Sequence, residues 1–225
     1  MSTLLLRLAA PIQAWGSDSR FEVRRTGREP TKSGVIGLLA AALGRSRADN
    51  LEDLCQLRFG VRVDQEGQLL RDFHTAHPEN KHPYVTQRYY LCDAAFLVGM
   101  ESDHGELLQQ LEQALRSPAY PLFLGRRACP PTLPIVLGIR QSNLLDSLKN
   151  EPWLASPWMQ RVNRDARPAL RLITDAYYGG RNAGMYRDMP VTFHISARSY
   201  TYREIEEHIP VKPPEVMHDP MLELL

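Results

Sequence analysis

The order strand, helix, strand, strand, helix, strand along residues 1–145 predicts an α+β fold of the ferredoxin-like type, with an inserted hairpin and a small C-terminal β unit. Three observations carry this. Apolar runs of strand length recur at residues 4–8, 57–63, 91–100 and 134–139; two stretches between them space their apolar residues at the 3.6 period of a helix; and residues 74–90, polar, aromatic and basic, fit neither pattern.

The first strand is the leucine-rich run at 4–8, ended by Pro11. Residues 12–32, rich in Gly, Ser, Arg and Pro, then read as a loop longer than a compact domain keeps without a use. Ser33 is placed to cap a helix carrying Val35, Leu38, Leu39, Ala42 and Leu43, with Gly44 to end it. Leu57, Phe59, Val61 and Val63 alternate with Arg58, Gly60 and Arg62 as a half-buried strand, and residues 69–73 return as a further one. Residues 74–90 project as an insertion before the strand at 91–100. Asp103 and Glu106 have the spacing of a capping box for a second helix carrying Leu107, Leu108, Leu111, Ala114 and Leu115, stopped by Pro118.

Beyond the strand at 134–139, residues 140–168 look irregular, broken by Pro152, Pro157 and Pro168. Residues 170–174 and 191–202 supply a small C-terminal β unit. The chain thus divides into an RNA-recognition-like domain at 1–145 and a unit with an acidic tail at 146–225. A chain of 225 residues holds one sizeable core, or one with a small appendage.

Composition excludes several classes. The stretch of apolar residues needed to cross a membrane is absent, and Arg7 interrupts the N-terminus, so a cytoplasmic protein is expected. Cys55, Cys92 and Cys129 are scattered and never paired as CxxC, against both a disulfide framework and a zinc knuckle. The net charge of +1 conceals an asymmetry: Arg20, Arg24, Arg25, Arg28 and Lys32 crowd one loop, while residues 201–225 hold six acids against Arg203 and Lys212.

Three constellations can carry chemistry. In the first, Gln13 and Trp15 leave strand one and the basic loop ends in Thr31, Lys32 and Ser33, where helix-start amides beside a Lys and hydroxyls form a natural phosphate seat. Trp15 can stack on an unpaired base or anchor the loop in the core. In the second, Gly125 precedes Arg126 and Arg127, which either bind phosphate or are paired within the protein. The third is the insertion, with His74, His77, Lys81, His82, Tyr84, Arg88, Tyr89 and Tyr90, suited to threading between the nucleotides of a single strand. Its histidines lack the fixed spacing and the Cys partners of a metal site, so no metal or cofactor is expected.

The strings LLLRLAAPIQAWG, RRTGREPTKSGVIGLL, RDFHTAH, YLCDAAF and FLGRRACP, in this order over the first two thirds of the chain, resemble the Cas-five family of CRISPR-associated RAMP proteins, in its type I-E branch. The resemblance implies a modified RNA-recognition fold with a thumb hairpin at about 74–90. It also implies a non-catalytic role: holding the 5′ handle of the guide RNA and capping a filament of backbone subunits beside a large PAM-reading subunit, with target DNA met only through the complex. It places Arg88 at the junction between handle and spacer, with Gln13, Trp15, Arg24, Arg28, Lys32, Ser33, Arg126 and Arg127 as further RNA contacts. The rival is a metal-independent endoribonuclease that cuts the precursor RNA, with His74, Tyr84 and Lys81 as its cast.

Overall fold

The computed structural model describes residues 1–16, 22–77, 82–163, 168–180 and 182–214. The first half of the chain forms β1 (Ser2–Ala9), β2 (Ile12–Gln13), β3 (Val23–Arg24), α1 (Lys32–Ala42), the single turn α2 (Glu52–Cys55), β4 (Arg58–Gln65), β5 (Gln68–Ala76), β6 (Tyr84–Cys92) and β7 (Ala95–Ser102). There follow α3 (Gly105–Arg116), β8 (Val136–Arg140), α4 (Leu144–Asn150), α5 (Pro157–Val162), β9 (Leu170–Asp175), β10 (Asn182–Thr192) and β11 (Ser199–Val211).

Four of these strands stand in the order β4-β7-β1-β8, every neighbouring pair antiparallel. Helix α1 crosses from β1 to β4 and α3 from β7 to β8, each passing over one strand, which is the expected ferredoxin-like arrangement. The leucines of β1 explain its central place: Leu4, Leu5, Leu6 and Leu8 are all buried, so both of its faces need cover. On one face α1 and α3 bring Val35, Leu39, Leu108 and Leu111 against Leu4, Leu6, Leu8, Phe59, Phe96 and Val98. On the other, Leu144 and Leu148 of α4 pack on Leu5, Leu97 and Leu172. That helix lies close because Gly60 and Gly99 have no side chain: a Cβ on Gly99 would stand 2.4 Å from Leu144 Cδ1.

Helix α1 is capped by Thr31, not Ser33; the Thr31 hydroxyl accepts from the Gly34 amide at 3.2 Å. The capping box at α3 does not form. His104 holds the cap position without a side-chain bond, and Asp103 turns to the N-terminal ammonium and Arg58, cations that compete for its carboxylate. Residues 140–168 are more regular than expected. Asn143 Oδ1 caps α4 by accepting from the Asp146 amide, and Ser156 caps α5 with Pro157 in its first turn, where a missing N–H costs nothing.

The C-terminal strands continue the same sheet: β9 pairs with β4, β11 with β9 and β10 with β11. The strand expected at 191–202 is split: residues 191–192 end β10, 193–198 form the connection, and 199–202 open β11. Half of the expected acidic tail is the paired strand β11, holding Glu204, Glu206 and Glu207; residues 215–225 lie outside the described residues.

A second sheet is built on β6. The hairpin β5–β6 pairs in register from Gln68↔Cys92 to Ala76↔Tyr84, so the insertion begins six residues before the expected 74. On its other edge β6 takes β2 antiparallel at residues 91–92 and β3 parallel at 87–88. Of the expected tip, residues 78–83, positions 78–81 lie outside the described residues. No helix among the described residues is long and apolar enough to cross a membrane.

Candidate nucleic-acid interface

The basic loop is tied down at Trp15. Its indole is 1% exposed and its Nε1 donates to Gln13 Oε1 at 3.0 Å, while Gln13 Nε2 donates to the Ala94 carbonyl at 2.7 Å. The Trp15 amide donates to Thr26 Oγ1 at 2.8 Å, and its carbonyl accepts from the Gly27 amide at 2.7 Å. The ring lies on Gly34 of α1, where a Cβ would come within 2.9 Å of it. The Gln13 and Trp15 side chains are both engaged inside the fold, and a stacked base would have to open the core to reach the indole. Their part is to fix where the loop runs.

The phosphate seat at the start of α1 is filled from within. Asp188 of β10 accepts the Lys32 amide at 2.7 Å, as an anion at a helix N-terminus would. Lys32 Nζ reaches Asp175 Oδ2 at 2.8 Å, and Arg203 of β11 bridges both carboxylates at 2.6 Å. Two cations and two anions compensate in a buried network, with Lys32 2% exposed and Ser33 buried beside it. Lys32 and Ser33 thus pack the interior of the molecule and hold the C-terminal strands to α1.

Two arginines face each other on the second sheet. Arg24 of β3 stands directly opposite Arg88 of β6 in the parallel register, and Arg88 is opposite Asp72 of β5 on its other side. Arg28 and Arg127 are nearby in sequence to β3 and to the Arg126 contacts. Among the described residues, the guanidinium groups of Arg24, Arg28, Arg88 and Arg127 have no hydrogen-bond or ion-pair partner, and the Arg88 Nε is enclosed without one. Arg47, after α1, and Arg161, in α5, share the trait on other elements. Elsewhere the pattern is opposite: Arg45 is bound to Asp53, Arg140 to Glu151 and Arg171 to Glu29. Opposed like charges such as Arg24 and Arg88 destabilise a strand pair until an anion neutralises them.

Arg126 differs from its neighbour Arg127. Its Nη1 donates to the Tyr89 carbonyl at 3.1 Å and its Nη2 to the carbonyls of Arg24 and Arg25 at 2.9 and 3.2 Å, with the guanidinium 4.7 Å from the Tyr90 ring centroid. Gly125 makes this possible. It has φ +82°, and its loop is docked by the Ala14 amide donating to the Leu124 carbonyl at 3.2 Å. Tyr90, singled out with the insertion, completes the site, together with Thr26 and the Tyr89 carbonyl, whose parts no sequence pattern announces. Beside Arg28 a cleft of about 290 Å³ opens between Thr26, Gly67, Leu69, Leu91 and Arg171.

Of the three residues cast for a nuclease, His74 has its Nε2 2.6 Å from Asp72 on the outgoing arm, Tyr84 pairs in register with Ala76 on the returning arm, and Lys81 lies outside the described residues. Among the described residues no three His, Cys, Asp or Glu converge as a metal site would require. Both hairpin arms expose apolar side chains, with Leu69, Phe73, Tyr84 and Val85 all open.

A ferredoxin-like sheet whose first loop and inserted hairpin share a second, arginine-lined sheet is the architecture of a RAMP protein. Residues 3–221 match the protein family described as "CRISPR-associated protein (Cas_Cas5)", and the chain belongs to that family. It is 40% identical over 163 residues to the CRISPR system Cascade subunit CasD of Escherichia coli (strain K12), a match covering 63% of this chain and 73% of that one. Among solved structures, it superposes with TM-score 0.77 and 30% identity on a chain of a "CRISPR RNA-guided surveillance complex", covering 99% of this chain and 97% of that one. A "Crystal structure of Cas protein" gives TM-score 0.72 and 38% identity, with 95% and 98% covered.

Proposed function

We propose that this chain is the non-catalytic, RNA-holding subunit of a type I-E CRISPR surveillance complex, gripping the 5′ handle of the guide RNA at the base of the β5–β6 hairpin. The observation that carries the reading is the set of unpartnered guanidinium groups at Arg24, Arg28, Arg88 and Arg127, delivered by the basic loop, β6 and the Gly125 loop. Phosphate contacts of this kind set the position of a strand, while bases are read by neighbouring side chains and pockets such as the cleft beside Arg28. The similarity to a surveillance-complex subunit over nearly the whole chain supports the same assembly here, with backbone RAMP subunits and the large PAM-reading subunit as cytoplasmic partners. The apolar side chains of the hairpin arms suit contact with the backbone filament.

The likeness to a Cascade subunit favours holding over cutting. The Asp72–His74 pair engages only Nε2 of an exposed imidazole and does not decide between them, since a carboxylate partner also orients a general base. The test is incubation of the protein, alone and in its assembled complex, with end-labelled precursor guide RNA, with and without EDTA. Handle-containing RNA should be bound and remain intact. Cleavage within the repeat that survives EDTA and disappears in His74→Ala would replace this reading with a processing nuclease.

A further inference from the structure

We infer that Arg126 is a positioning residue, which joins the basic loop to the hairpin and thereby sets the Arg24–Arg88 pair that meets RNA. The inference rests on the RNA-holding reading above and adds a role that direct phosphate contact does not describe.

The strand β3 is two residues long and pairs parallel to β6, an arrangement with little stability of its own. It is held before Val23 by the Gln87 amide, which donates to the Glu22 carbonyl at 2.7 Å. The strand ends at Arg24, and Arg126 ties the chain there. One guanidinium plane takes the Arg24 and Arg25 carbonyls on Nη2 and the Tyr89 carbonyl on Nη1, so it spans both strands next to the two opposed arginines. Without that tie, the repulsion between Arg24 and Arg88 drives the strands apart.

Arg126 brings a third positive charge, offset by three carbonyl oxygens and the negative face of Tyr90. The task needs a planar fork. A Lys ammonium is a point charge on a mobile stem and does not reproduce this set of directions. The fork is itself held, since the Cys129 amide donates to the Arg126 carbonyl at 2.9 Å and Gly125 docks against Ala14.

The experiment compares the wild-type chain with Arg126→Lys, Arg126→Ala, Arg24→Ala and the Arg24→Ala/Arg126→Ala double variant. Handle-RNA affinity is read by fluorescence anisotropy at fixed salt, and exchange of the Gln87 amide by hydrogen–deuterium exchange. Arg126→Lys is expected to lose affinity about as much as Arg126→Ala, tenfold or more. The double variant is expected to lose little beyond Arg126→Ala alone, and the Gln87 amide to exchange faster in both Arg126 variants. Retention of affinity within twofold in Arg126→Lys, or losses at Arg24 and Arg126 that multiply, would make Arg126 an independent charge contact and overturn the inference. Absence of RNA binding by the wild-type chain in its complex would sink the RNA-holding reading instead. The exchange rate at Gln87 would still decide whether Arg126 joins the two strands.

Discussion

Replacing Arg62 by Met is expected to destabilise the protein by about 3–5 kcal/mol, the cost of stranding one partner of a buried ion pair. Arg62 and Asp64 are both buried, with Nε and Nη2 on the two carboxylate oxygens at 2.7 and 2.8 Å. The same guanidinium receives the end of α4: Nη1 donates to the Leu148 and Glu151 carbonyls and Nη2 to that of Pro152, at 2.6, 2.6 and 2.7 Å. Asp64 in turn accepts the Leu154 amide at 2.7 Å, and its carbonyl accepts Trp153 Nε1. One side chain thus fastens the second half of the chain across the sheet, and its loss strips the Asp64 carboxylate of its counter-charge, leaving it only the Leu154 amide, and three carbonyls of the donor Arg62 supplies.

The pH dependence of this variant has a definite sign. Burial pushes the Asp64 carboxyl up, and Arg62 opposes that push. Without Arg62 the folded-state pKa rises further above the unfolded value, so the penalty is fully present above it and fades as pH falls through it. Denaturant unfolding should show a larger deficit at neutral pH than in mild acid, and Arg62→Met/Asp64→Asn should recover part of it. An equal deficit at every pH would mean a packing defect alone.

Gly125→Ala is expected to disturb both stability and RNA binding. A Cβ at Gly125 would stand 1.7 Å from the Ala14 carbonyl oxygen, which is backbone and cannot swing aside, and the φ of +82° adds strain of its own. Together these cost about 2–4 kcal/mol, at the upper end of single-residue effects. The loop has to lift from Ala14, carrying Arg126 off Tyr89 and Arg24. The melting temperature should therefore fall, and handle-RNA affinity should drop at least tenfold where the variant remains folded. Wild-type affinity in a folded Gly125→Ala protein would show that the docked loop has no part in binding.

The elements whose period was unambiguous were legible in the sequence: β1, α1, β4 and α3 are where their apolar spacing puts them, while the run at 91–100 is divided at Asp93 between the end of β6 and β7. The failures have physical causes. Prolines at 152 and 157 read as breakers, yet Pro157 opens a helix behind a Ser cap. Residues 69–73 read as a separate strand because their pairing with residues 87–91 is not written in either segment alone.

The site divides in the same way. A Lys beside hydroxyls at a helix start looks identical whether the anion is a ligand or Asp188, whose place beside Lys32 depends on the whole C-terminal sheet. A lone Trp after a strand reads more often as an anchor than as a stacking platform, and Trp15 is buried as an anchor would be. Arg126 and Arg127 are adjacent and chemically identical. Only the path of the loop spends one on carbonyls and leaves the other outward. The resemblance marks Arg24, Arg28 and Arg88 as RNA contacts, and among the described residues their guanidinium groups have no internal partners.

Whether these outward arginines neutralise guide-RNA phosphates is read most directly from the salt dependence of handle-RNA affinity. The wild-type complex is compared with one carrying Arg24→Ala, Arg28→Ala, Arg88→Ala and Arg127→Ala together. The slope of log K against log salt should shrink by about 0.7 for each phosphate no longer neutralised, roughly 3 in total, with affinity falling at every salt concentration. An unchanged slope and affinity in a properly folded and assembled variant would contradict a phosphate-binding role for the four arginines.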